Sequence, residues 1–170
     1  YQLLREGLGL SVNHLQEIFA QWNHGVLESY LIEITSHILQ VKEADGTLLL
    51  DRILDAAGQK GTGQWTCIEA LESRVPLTLI SEAVFARFLS TMKEERVKAA
   101  KILRSDRNTF AGDQAAAIVA IHDALYASKI ISYAQGYMLM REAAIENGWS
   151  LKYGNIAMIW RGGCIIRSKF

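Results

Sequence analysis

From Asp113 to Asn147 the sequence runs without a proline and with Gly136 as its one glycine. A helix of that extent is about 35 residues and roughly 50 Å long at 1.5 Å per residue, well beyond the usual globular helix. Asp113 stands at its opening and Asn147-Gly148 at its close. Alanine, serine and Gly136 are spread over more than one face, so neighbouring helices can approach on several sides. The chain is therefore expected to fold as an all-α, multi-helix bundle around one long central helix. Gly136 is read as a close-packing point, with a bend as the alternative.

Other segments repeat the helical period. Ser11 can cap a helix whose apolar positions Leu15, Ile18, Phe19 and Trp22 follow the i, i+3, i+4, i+7 pattern, ended by Asn23-His24-Gly25. Val26 to about Lys42 gives a second stripe through Leu27, Tyr30, Leu31, Ile34, Ile38 and Val41. Asp45-Gly46 marks a turn, and Leu48 to Ala57 reads as a shorter helix, with a strand as the alternative. Thr66-Cys67-Ile68-Glu69 has the form of a capping box opening a helix to about Ser73. Pro76, the single proline, suits the first turn of one continuous helical run from Leu77 to Leu103. Val84, Phe88 and Met92 mark its inward stripe, with Arg87 beside them. Residues 105–112 read as a loop, and Ser150 can cap a last helix through Ile156, Met158, Ile159 and Trp160. No repeat and no alternating strand set is present.

At 170 residues the length suits one domain with a real core. A formal net charge of +0 supplies no overall field toward nucleic acid or an anionic membrane, so any anion site is local. Cys67 and Cys164 lack CxxC spacing, which fits a reducing, cytoplasmic setting rather than a zinc site or a disulfide framework. No contiguous apolar run reaches the roughly 18 to 20 residues of a membrane span. His14, His24, His37 and His122 show no metal spacing, and no nucleophile elbow or GxGxxG fingerprint occurs. Asp51 and Asp55, four apart, can hold a metal if they share a helix face, but a solvated face is the commoner reason for such a pair. Arg161 and Arg167, beside Gly162-Gly163, are read in the same way as solvated helix ends rather than an anion site.

The chemistry concentrates in Ile53 to Trp65, ILDAAGQKGTGQW. Gly61 and Gly63 let the Lys60-Gly61-Thr62-Gly63 loop curl with its N–H groups inward as it feeds a helix N-terminus. Such an N-terminus favours anions through its unpaired N–H groups and its dipole. Lys60 adds charge, Thr62 a hydroxyl, and Arg87 a guanidinium from the following helix. All three are candidates for one phosphate, held by charge-assisted hydrogen bonds. A plain glycine-rich connection is the alternative for KGTG on its own.

ILDAAGQKGTGQW resembles the signature of the decarboxylating 6-phosphogluconate dehydrogenases. The likeness continues through IFAQWNHGVLESYLIEIT, VPLTLISEAVFARFLSTMKEERVKAAK, ALYASKIISYAQGYMLMREAA and YGNIAMIWRGGCIIRS, essentially the whole chain. The resemblance implies NADP-dependent oxidation and decarboxylation of 6-phosphogluconate to ribulose 5-phosphate, in the pentose phosphate pathway, by a cytoplasmic homodimer. It implies that residues 1–170 are part of an all-helical substrate-binding and dimerisation domain, without the coenzyme-binding Rossmann domain and the C-terminal tail. It assigns substrate-phosphate binding to Lys60, Thr62 and Arg87. The family's catalytic lysine and glutamate fall before Tyr1, so no catalytic, coenzyme or metal residue is expected here and the isolated chain is expected to be inactive. Arg74 replaces the family's usual glycine before Val75-Pro76, and an arginine in a left-handed helix end is strained. His122 stands where the family tends to show arginine. The alternative is a stand-alone, non-catalytic helical module that binds phosphate or serves assembly.

Overall fold

The computed structural model describes residues 1–103 and 110–169. Among these the regular elements are helical: a π-turn at Leu3–Gly7, α1 (Val12–Trp22), α2 (Tyr30–Ile38), a 3-10 turn at Leu49–Arg52, α3 (Thr62–Glu72), α4 (Thr78–Thr91), α5 (Lys93–Ile102), α6 (Gln114–Asn147) and α7 (Tyr153–Ile159). The extended pairing among them is limited to isolated bridges, Ser29 with Ser168 and Lys42 with Leu48. The loop expected at 105–112 lies outside the described residues for 105–109.

The chain divides into two compact units. The first comprises residues 1–53 and the described residues of 107–126 and 154–170. Its core joins Leu4 and Leu10 to the α1 stripe Leu15, Ile18, Phe19 and Trp22, with Leu27 and Leu39. Each such side chain taken fully from water contributes about 1.5–3 kcal/mol. Ser11 caps α1 as expected, accepting from the His14 N–H at 3.3 Å. The second helix starts later than expected, at Tyr30, because Ser29 is extended (φ −167°) and its hydroxyl accepts from the Ile32 N–H. Instead of a helix over 48–57 there is only the 3-10 turn. Asp51 pairs there with Arg5 at 2.6 Å, which holds its carboxyl below the usual carboxylate range.

The second unit comprises the described residues of 54–106 and 127–153. Ala70, Val75, Leu77 and Leu139 form its core, with Ile80 and Met138 packed on them. The run expected as one helix from Leu77 to Leu103 breaks at Met92 (φ −81°, ψ 49°), giving α4 and α5. Met92 is 47% exposed and so is not part of an inward stripe among the described residues. Pro76 precedes rather than enters α4. The N-terminus of α4 is capped from α6: buried Gln135 accepts the Leu79 and Ile80 N–H groups at 3.1 and 3.2 Å and donates to Thr78 Oγ1 at 2.9 Å.

α6 has the expected extent, 34 residues, with Asp113 Oδ1 accepting from the Ala115 and Ala116 N–H groups. It ends at left-handed Gly148, and the Trp149 N–H closes back on the Ala144 carbonyl at 2.9 Å. Only Gln135, Leu139 and Ala144 are buried along it, and a Cβ on Gly136 would meet nothing within 4 Å, so Gly136 is not a packing point among the described residues. By length and composition alone α6 is apolar enough to cross a membrane, although it contains no contiguous apolar run of that length. The last helix opens at Tyr153, three residues past Ser150.

Candidate functional site

Residues 54–61 carry no regular structure, and α3 starts at Thr62. Gly61 makes that start possible: its left-handed backbone (φ 95°, ψ −24°) turns the loop into the helix, a conformation that strains any L side chain. The first ladder bond runs from the Trp65 N–H to the Gly61 carbonyl at 3.0 Å. Thr62, Gly63 and Gln64 therefore stand ahead of the ladder, and their N–H groups have no partner among the described residues. The helix opens a full turn earlier than the capping-box reading placed it. Thr66 is no cap, because its Oγ1 donates to the Thr62 carbonyl at 2.8 Å.

The loop meets α4 upstream of the KGTG segment and again at its last residue. Upstream, the Ala57 N–H donates to Ser90 Oγ at 3.1 Å, and Ser90 Oγ in turn donates to the Arg87 carbonyl at 2.7 Å. At the segment's end, a Cβ on Gly63 would lie 2.9 Å from Val84 Cγ2, so the absent side chain is what lets α3 reach α4. Val84, Arg87 and Ser90 are successive three-residue steps on one helical surface, and Arg87 is the middle one. Asp55 anchors the root of the loop, accepting from Lys93 and from Arg96 Nη1 at 3.0 Å. Lys93 and then Arg96 pull the Asp55 pKa from 3.8 down to about 2.

Lys60, Thr62 and Arg87 are all exposed. Neither the Lys60 ammonium nor the Arg87 guanidinium has an ion pair or hydrogen bond among the described residues. The arrangement thus offers open N–H groups, the positive end of a helix dipole, two uncommitted cations and a hydroxyl, and that combination suits a phosphate. It contains no base poised against a nucleophile. Among the described residues no group of His, Cys, Asp and Glu is placed to hold a metal. Asp51 and Asp55 do not share a helix face, since residues 53–61 are not helical and each carboxylate has its own cations. Arg167 is likewise engaged, donating to Glu33 at 2.8 Å and lying over the Tyr30 ring, and Arg161 contacts Met158 Sδ. His122 packs edge-on against Trp22 and bonds Asp123. The sequence singled out Asp55 only as half of a possible metal pair with Asp51, and gave no sign of Ser90 or Arg96. They act across 33 to 41 residues of chain, a separation that no local spacing reveals.

A family model described as 6-phosphogluconate dehydrogenase, C-terminal domain, matches residues 1–170. Decarboxylating 6-phosphogluconate dehydrogenases from Schizosaccharomyces pombe and Ovis aries are 56% and 57% identical over the whole chain. The human protein of that name is 55% identical. The chain spans about a third of the length of these relatives, 35% in each case. Among solved structures, Plasmodium falciparum 6-phosphogluconate dehydrogenase superposes with a TM-score of 0.94 at 43% identity, over 99% of this chain and 37% of that one. That protein is described in apo form, with its cofactor NADP+ and with its substrate 6-phosphogluconate.

Proposed function

Since the chain belongs to the 6-phosphogluconate dehydrogenase C-terminal domain family, we propose that the KGTG helix start is the phosphate seat of a decarboxylating 6-phosphogluconate dehydrogenase. Lys60 and Arg87 neutralise the phosphate dianion, and Thr62 adds a hydroxyl beside the open N–H groups of α3. The observation that carries this reading is the left-handed Gly61, which opens α3 directly after Lys60, a cation without a partner among the described residues. The whole enzyme oxidises and decarboxylates 6-phosphogluconate to ribulose 5-phosphate with NADP, as a cytoplasmic homodimer. The described residues do not fit NADP: they hold no strand–glycine turn–helix unit to take its pyrophosphate. Coenzyme binding and hydride transfer are assigned to the remaining length that such enzymes have. The role of this chain is to grip the distal end of the sugar acid, so that binding energy far from the reacting carbons orients them.

Calorimetric titration with 6-phosphogluconate tests the assignment. Lys60→Ala and Arg87→Ala should each cost about 1.5–3 kcal/mol, the range for a hydrogen bond to a charged group. Unchanged affinity in both variants would sink it.

A further inference from the structure

The break at Met92 frees the Ser90 carbonyl, which in a continuous helix would accept from the backbone four residues on. Arg96, one turn into α5, takes it instead: Nη2 donates to the Ser90 carbonyl at 2.9 Å and to the Asp55 carbonyl at 2.9 Å. Nη1 donates to Asp55 Oδ2 at 3.0 Å. One guanidinium therefore binds both the root of the glycine loop and the end of α4, on the same serine whose hydroxyl holds the Ala57 N–H. Between Ala57 and Gly61 the further side-chain hydrogen bond among the described residues is a long one, from Gln59 Nε2 to Gln64 Oε1 at 3.5 Å. A Cβ on Gly58 would meet nothing within 4 Å, and Lys60 has no partner among the described residues.

We infer that Arg96 is a positioning residue for the phosphate seat: it clamps Asp55 to Ser90 and so sets Lys60 against Arg87. The inference rests on the phosphate reading above. Arg96 itself touches no ligand, and its planar fork is what allows three acceptors on two segments to be held at once. Without the clamp the loop root swings, and the two cations no longer converge on one dianion. The contribution is specific to the phosphate end of the substrate, which separates it from a general loss of stability.

The test uses the natural polypeptide that carries this chain, with 6-phosphogluconate, inorganic phosphate and unphosphorylated gluconate as ligands. Arg96→Met should weaken 6-phosphogluconate and phosphate binding about tenfold and leave gluconate binding unchanged. Ser90→Ala, which removes only the hydroxyl, should act in the same direction by about threefold. The inference is overturned if both variants bind the phosphorylated ligands as wild type does, or lose gluconate in equal measure. If Arg96→Met does not fold, Arg96→Lys, which keeps the charge but cannot hold three acceptors in one planar fork, decides by the same criteria. Lys60→Ala and Arg87→Ala run alongside. No effect from them removes the seat and this clamp with it, whereas an effect from them and none from Arg96→Met and Ser90→Ala removes the clamp only.

Discussion

Arg74 holds a left-handed backbone (φ 55°) at the end of α3, where the Val75 N–H reaches the Ala70 carbonyl at 2.8 Å and the Arg74 N–H reaches Leu71 at 3.3 Å. This closure seats Val75 against Ala70 in the core, so the strain is retained because the packing it permits outweighs it. An L residue carries about 1–2 kcal/mol there, and Arg74→Gly should raise the urea midpoint by roughly 1 kcal/mol equivalent with the slope unchanged. The need for a left-handed residue was legible beforehand, since the resemblance sets a glycine at that position. Asp55 was not legible: its helix neighbour on paper, Asp51, proved irrelevant, and its cations lie in α5. Its folded pKa of about 2 lies below the ordinary 3.8, so its ion pairs stabilise fully above 3.8 and are lost as pH falls toward 2. Acid titration of wild type against Asp55→Asn should therefore show a stability gap at neutral pH that narrows below about pH 4 and closes near pH 2.

Elements announced themselves where local chemistry decides them. α1 was readable in full because Ser11, the stripe and Asn23 lie within one stretch, and α6 because Asp113 and Gly148 bracket it. The start of α3 was misplaced by one turn, since a glycine cap leaves no side-chain signature while Thr66 and Glu69 mimic one. The start of α4 depends on Gln135, 55 to 57 residues away, and nothing near Pro76 could foretell it. That cap yields a sharp expectation. Gln135→Leu keeps the volume but orphans two N–H groups in a largely dry site, and should cost about 2–3 kcal/mol by chemical denaturation. A cost under about 0.5 kcal/mol would mean that water replaces the cap. The division between α4 and α5 was equally hidden, because the sequence on either side of Met92 favours helix and the interruption is sustained by Arg96 from beyond it.

On the scale of the whole chain, periodicity identifies apolar faces without identifying what covers them. The α1 stripe is buried, while Phe85 and Leu89 on α4 and Ile145 on α6 remain in water among the described residues. The family resemblance, not the residue pattern, carried the assignment of activity, and it also predicts a division of labour. Mixed with 6-phosphogluconate and NADP, the 170-residue chain should bind the phosphate ester yet give no sustained rise in reduced-coenzyme absorbance, because the resemblance assigns the proton-transfer pair to residues outside it. Sustained turnover would contradict that division. One local contact gives the molecule an optical property as well. The Trp65 indole lies against Gly61, where a Cβ would come within 3.4 Å of the ring, and it is 65% exposed, whereas Trp22 is buried in the other unit. Trp65 is one of four tryptophans, and its exposure beside Gly61 makes it a fluorophore at the proposed phosphate seat. A dianion settling beside Lys60 would change the field across that ring, so ligand binding at the proposed seat should register in its emission.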